Sequence, residues 1–252
     1  MNLNPAERRL LDAAARRDAA GVRDAIDEGA RVESRDEELR TPLLLASLGS
    51  HVEAATLLVA AGANPDAQDR REDSAWLVTG VSGSVPMMRA LLPAGPDLKL
   101  RNRFGGISLI PACERGHVDY VRAVLRETAM VADVDHVNRL GWTALLEAVI
   151  LGDGGRTHQE IVELLLTAGA TADLPDADGV TPLAHAERRG FDAMAALLRA
   201  ATGPGRDRVG RHISRIGSSV WINGLAYAEQ LPPSPELSPS PLPPCLRRSR
   251  PA

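Results

Sequence analysis

An all-α solenoid of about six helix-turn-helix units, followed by a tail of different character, is the fold class this sequence predicts. Three observations predict it. Similar stretches begin at Arg8, Thr41, Ser74, Ile107, Thr143 and Thr181, at spacings of 33, 33, 33, 36 and 38 residues. Hydrophobic residues make up 44% of the chain but aromatics only 3%, so the core is mainly Ala, Leu and Val, which suits close helix packing better than a sandwich or barrel. The clearest stretches also open on Thr-Pro, a start signal for a helix.

The stretch from Thr41 to Asp73 justifies each element in turn. The Thr41 hydroxyl can accept from a free N–H at a helix start, and Pro42 fits the first helical position, where no N–H is required. Leu43, Ala46 and Ser47 give this first helix an apolar and small face, and Gly49-Ser50 turns the chain after about two turns. A second helix over Val52 to Ala60 aims Ala54, Ala55, Leu57 and Leu58 at the first, and Gly62 ends it. Asn64-Pro65-Asp66 and Asp69-Arg70-Arg71 are turn chemistry, so an extended loop leads to the next start.

The other units vary this frame. The first, 8–40, lacks Thr-Pro and carries Arg8, Arg9, Arg16 and Arg17, as a solvent-facing end does. The third puts Thr79 and Gly80 at the small positions and crowds its end with Pro93 and Pro96. After Arg126 the fourth runs three residues longer than its counterparts. The fifth inserts five residues between its helices, and the last has no following loop.

TPLLLAS, HVEAATLLVAAGANPDAQD and TPLAHAERRGFDAMAALL resemble ankyrin repeats, and HVNRLGWTALLEAVILGDGG followed by HQEIVELLLTAGA resembles short bacterial ankyrin-repeat proteins. The resemblance covers residues 8–202, with Ser74-Ala75, Ser50 and the third unit's prolines as departures. It implies a solenoid whose loops project as β-hairpin-like fingers. It also implies a concave binding face lined by those fingers and the first helices, and non-catalytic binding of another protein. From 203 to 252 the chain is rich in Arg, Pro and Ser and reads as largely disordered, with a short helix near Val220 to Gln230 and polyproline II over 231–244.

Composition limits the function classes. Net charge is −4, with +4 in the tail and −8 in the rest. Cys113 and Cys245 are far apart and offer neither a disulfide framework nor zinc spacing. The N-terminus lacks an apolar signal region and no stretch is long enough to span a membrane, so a cytoplasmic monomer with no membrane partner is expected.

Candidate chemistry is sparse. His51 and His117 occupy the same turn position, where an imidazole bonds a neighbouring loop in proteins of this resemblance. Cys113 sits four residues before His117 but at a small buried position, where a thiol is inert. The Gly152 to His158 insert is glycine-rich like a phosphate loop, yet it joins two helices rather than a strand and a helix. No ligand spacing unites Asp153, His158 and His185. No catalytic residue, metal or cofactor is expected.

The positions free to vary lie at the finger tips. Reading them in order gives Glu37, Glu38 and Arg40; Arg70, Arg71 and Asp73; Arg103, Phe104 and Gly106; Arg139, Leu140 and Trp142; then Ala177, Asp178 and Val180. The middle fingers carry Arg and aromatics, residue types that dominate interface energetics, between acidic ends. The predicted partner-binding set is Arg70, Arg71, Arg103, Phe104, Arg139, Leu140 and Trp142, with Glu114 and Arg115 at the rim. A regulatory or inhibitory subunit of a partner enzyme is an alternative, and an enzyme using the Gly152 to His158 insert is a weaker one. Nucleic-acid binding through the tail arginines is disfavoured, because they have no folded platform.

Overall fold

The computed structural model describes residues 3–203, together with the backbone of 220–222 and 225–227. The chain divides into two compact units, 1–206 and 207–252. In the first, six pairs of helices follow one another: α1 (Pro5–Ala15) with α2 (Ala19–Asp27), α3 (Pro42–Leu48) with α4 (Val52–Ala60), and α5 (Leu77–Ser82) with α6 (Val85–Leu91). Then come α7 (Leu109–Glu114) with α8 (Val118–Glu127), α9 (Ala144–Ile150) with α10 (Arg156–Thr167), and α11 (Pro182–Arg188) with α12 (Asp192–Thr202).

Start signals do what their chemistry dictates. The hydroxyls of Thr41, Ser74, Thr143 and Thr181 each accept, at 3.2 Å, from the N–H three residues on. The first unit uses a reciprocal cap instead: Asn4 Oδ1 accepts from Glu7 N at 2.8 Å, and Glu7 Oε2 from Asn4 N at 3.0 Å. Leu43, Ala46 and Ser47 of α3 and Ala54, Ala55 and Leu58 of α4 are buried against one another, while Leu57 is half-buried.

Packing is between like helices of successive units. Each first helix contacts the next first helix, and each second helix the next second helix, which gives two layers sharing one core. Gly80 sets the closeness of one such contact, since a Cβ there would lie 1.8 Å from the Ser108 carbonyl oxygen. Beside it, the Thr79 hydroxyl is 2.8 Å from the Tyr120 hydroxyl, a buried polar link from the third unit to the fourth. The three extra residues after Arg126 fold into a 3-10 turn, Ala129–Asp133, which buries Met130. In the fifth unit the insert is shorter as a loop than the sequence suggests, because Arg156, Thr157 and His158 form the first turn of α10.

The expected β-hairpin-like fingers are corrected. Among the described residues the only strands are Val220–Ile222 and Leu225–Tyr227, and none lies in a finger. Each finger closes on one Asp or Asn instead. Asp36, Asp69, Asn102, Asn138 and Asp176 each accept, through Oδ1, from the N–H groups two and four residues on, at 2.7–3.1 Å. That oxygen takes donors a strand ladder would need, so two backbone bonds remain within each loop, as from Asp69 N to the Asp73 carbonyl at 2.9 Å and from Glu72 N to the Asp69 carbonyl at 3.1 Å.

The short helix expected near Val220 to Gln230 is also corrected. The two strands pair antiparallel there, with Val220 opposite Tyr227 and Ile222 opposite Leu225. β-branched and aromatic residues at Val220, Trp221, Ile222 and Tyr227 favour the extended form over a helix. The expectations of disorder and polyproline II elsewhere in 204–252 lie outside the described residues.

Candidate functional site

The fingers are 36–40, 69–73, 102–106, 138–142 and 176–180, and the Asp or Asn opening each one fixes where its side chains stand. The predicted arginines divide into two groups. Arg70, Arg103 and Arg139, one residue after the closing Asx, brace neighbouring fingers. Arg70 Nε donates to the Glu37 carbonyl at 2.8 Å, Arg103 Nη1 to Asp73 Oδ2 at 3.3 Å, and Arg139 Nη1 to the Arg103 carbonyl. Arg71 comes no nearer than 3.8 Å to Asp73, beyond hydrogen-bond distance, and is exposed.

Phe104 and Leu140 stand at the equivalent place in their fingers, 52% and 55% exposed. The Arg103 guanidinium lies 4.5 Å from the centre of the Phe104 ring and holds one face of it. Trp142 is half-buried, and its backbone completes the loop closed by Asn138. Glu114 is half-buried at the end of α7, and Arg115 is exposed just after it. The structure thus gathers Arg71, Phe104, Leu140, Arg139 and Arg103 on adjacent fingers, with Glu114 and Arg115 at the end of a first helix.

Two features of this face escaped the sequence reading. Leu48 and Val81 are exposed near the ends of α3 and α5, where a helix face facing only its own core would be polar. Glu147, in α9, is only 4% exposed. Asn138 Nδ2 donates to Glu147 Oε1 at 2.8 Å. Burial, then the neighbouring Glu114 carboxylate, push the Glu147 pKa up to about 7 against the opposing effect of Asn138. A spacing signal exists for it. The closing Asx and the residue nine positions on form a pair, Asn138 with Glu147 and Asp176 with His185, the second joined at 2.7 Å. An amide stands where its partner is an acceptor, and a carboxylate where its partner is a donor.

A groove of about 500 Å³ lies on the same side of the first units, lined by Arg8, Leu11, Asp12, Asp36, Arg40 and Leu45. A larger cavity, about 730 Å³, opens between α6 and α8 in the other layer. Its arginines are largely committed: Arg89 makes two bonds to Glu127, at 2.6 and 2.9 Å, and Arg122 pairs with Asp119 and Glu160.

The histidines and the thiol are accounted for by structure. His51 Nδ1 is 2.9 Å from the Ala14 carbonyl, His117 Nε2 3.1 Å from that of Val81, and His158 Nε2 3.0 Å from that of Glu114. Each carbonyl belongs to the last turn of the preceding unit's first helix, where it lacks a partner within the helix. Arg189 serves the carbonyls of Ile150 and Gly152 in the same way. His158 also meets Asp153 at 2.9 Å, and Gly154 leaves room for the Phe191 ring, 2.4 Å from where a Cβ would stand. Cys113 is fully buried, and burial, reinforced by Glu147, raises its pKa far above the ordinary thiol value. No group of three His, Cys, Asp or Glu among the described residues is arranged to hold a metal. No described helix is long and apolar enough to cross a membrane.

Comparison with known proteins supplies the context. The family described as ankyrin repeats in three copies matches residues 75–176, and the single ankyrin repeat matches 38–70. The putative ankyrin repeat protein YahD of Escherichia coli (strain K12) is 40% identical over 191 residues, covering 76% of this chain and 94% of that protein. The human ankyrin repeat and SOCS box protein 16 is 30% identical over 235 residues, 86% of this chain and 50% of that protein. Among solved structures, an ankyrin repeat domain from Acinetobacter baumannii superposes with a TM-score of 0.73 at 44% identity, covering 77% of this chain and 97% of that one.

Proposed function

Because the chain belongs to the ankyrin-repeat family, a family of protein-interaction modules that do no chemistry of their own, we propose that it binds its partner through the face built by the fingers and first helices. One observation carries this reading. The six large hydrophobic residues that stand exposed among the described residues, Leu48, Val81, Phe104, Val137, Leu140 and Leu151, all lie in fingers, in the loops leading to them, or at first-helix ends. The second-helix layer contributes none. Exposed apolar side chains concentrated on one face and rimmed by charge mark an interaction surface.

The predicted set Arg70, Arg71, Arg103, Phe104, Glu114, Arg115, Arg139, Leu140 and Trp142 belongs to that face. The identity of the partner is left to experiment, and cytoplasmic location and a monomeric state are part of the same proposal. Affinity purification from the native cell identifies partners, and Trp142→Ala and Arg103→Ala are then measured against the purified partner. A central anchor weakens binding by about 2 kcal/mol when truncated. Unchanged affinity for both variants, with Leu48→Ser and Val81→Ser also silent, refutes the assignment of the face.

A further inference from the structure

The closing Asx oxygens leave one position per finger at its apex: Glu38, Arg71, Phe104, Leu140 and Asp178. In every case the apex N–H is the one two residues beyond the Asx, donated into the loop, so the backbone is held while the side chain points away from this closure. All five residues are exposed. The position before the apex is spent on bracing in Arg70, Arg103 and Arg139, whereas Phe104 and Leu140 have no polar demand at all. The apex row therefore reads acidic, basic, aromatic, aliphatic, acidic.

The spacing of the row follows from hydrogen bonding. Within a finger the two arms are bonded to each other, as Asp36 N to the Arg40 carbonyl at 3.1 Å. At two of the four steps between fingers the arms are bonded again, with Arg70 N donating to the Glu38 carbonyl at 3.0 Å and Arg139 N to that of Phe104 at 2.9 Å. Arms bonded side by side lie about 4.8 Å apart, so successive apices, two arms on, are roughly 10 Å apart. Stacked helices, 8–10 Å between axes, give the same repeat. An extended chain advances about 3.3 Å per residue, so it places every third side chain opposite a new apex.

We propose that the five apices read one extended segment of a partner protein at every third residue, pairing a basic, an acidic, two apolar and a basic side chain with Glu38, Arg71, Phe104, Leu140 and Asp178. The inference rests on the finger and first-helix face being the binding face, and charge complementarity selects the occupant. The row is acidic at both ends and basic once, beside its apolar centre, so a uniformly charged segment of either sign meets repulsion somewhere along it. Phe104, stacked on Arg103, offers its other ring face to an apolar side chain, and the Arg71 guanidinium next to it, paired with Asp73 only through Nε at 3.8 Å, offers its Nη fork to a carboxylate.

The test is selection of linear 15-residue random peptides (about the length that five contacts at every third residue require) on the immobilised full chain. Enriched peptides are expected to carry an apolar pair three residues apart, an acid three residues further and basic residues at the ends, in one chain direction. For a selected peptide, Phe104→Ala and Leu140→Ala each weaken binding about tenfold, and Arg71→Glu is rescued by replacing the peptide's acid with Lys. Circular dichroism verifies that these exposed substitutions leave the fold intact. Peptides lacking the three-residue period, binding that changes less than about twofold in the apex variants, or a selection yielding no binder each overturn the proposal. Peptides that depend on Leu48 and Val81 but not on the apices overturn it while supporting the wider face, and peptides insensitive to both sets count against the face as well.

Discussion

Glu147→Gln tests the electrostatics of the finger and first-helix face through stability. In the folded chain the Glu147 carboxyl is buried beside Glu114 and titrates near 7 instead of 4.5. Its pKa is raised by folding, so between about pH 4.5 and 7 the folded state binds the proton that the unfolded state has released, and stability falls as pH rises across that window. A shift of this size corresponds to about 3 kcal/mol lost by the time pH exceeds 7. Gln keeps an acceptor for Asn138 and cannot ionise. The variant should match the parent near pH 4 and exceed it by up to about 3 kcal/mol at pH 8. Urea titrations followed by circular dichroism at several pH values measure the difference, and the carboxyl carbon resonance of Glu147 gives its pKa directly. A difference between variant and parent that stays constant from pH 4 to 8 refutes the reasoning.

Further predictions follow from neighbouring contacts. Asn138→Asp keeps the acceptor for Leu140 and Trp142 but sets a carboxylate against Glu147, so it should lower stability by on the order of 3 kcal/mol at pH 8 and by less at pH 5, read from the same titrations. Gly80→Ala drives a methyl into the Ser108 carbonyl, and thermal unfolding should show a loss of about 3 kcal/mol, with hydrogen exchange rising first in α5 and α7. Cys113 should resist iodoacetamide in the native state and react only as denaturant unfolds the chain, as mass spectrometry of a labelling time course will show. Fast native labelling would contradict its burial.

Much of the array was legible in the sequence because stacking constrains it. Thr41-Pro42, Ala46-Ser47 and Ala54-Ala55 each satisfy a local need that recurs in most units, so the period and the helix pairs can be read one residue at a time. The finger geometry was not, because Asp69 and Asn102 signal a turn without saying which donors their oxygens will capture. Arg70 and Arg71 illustrate the limit at the candidate site. Adjacent and identical in type, they separate into a brace and a cation only loosely paired with Asp73 once the Glu37 carbonyl of the preceding finger is in place. Glu147 was passed over for a similar reason: its neighbours Asn138 and Glu114 are 9 and 33 residues away in the chain. Val220 to Tyr227 shows the opposite error, an apolar run too short for periodicity to tell strand from helix.

The cross-unit bonds from His51, His117, His158 and Arg189 all run one way. Each of these side chains completes the first helix of the unit before it, never the one after. Loss of either neighbour breaks the bond and leaves its remaining half, carbonyl or side chain, to water. The unit 2 to unit 3 step lacks such a bond, because Ser84, at the histidine's position, caps its own helix through Met87 N. Other side chains reach the opposite way, Ser47 Oγ to the Ala75 carbonyl and Arg35 Nη1 to that of Gln68, both at 2.8 Å, so neighbouring units are tied from both sides.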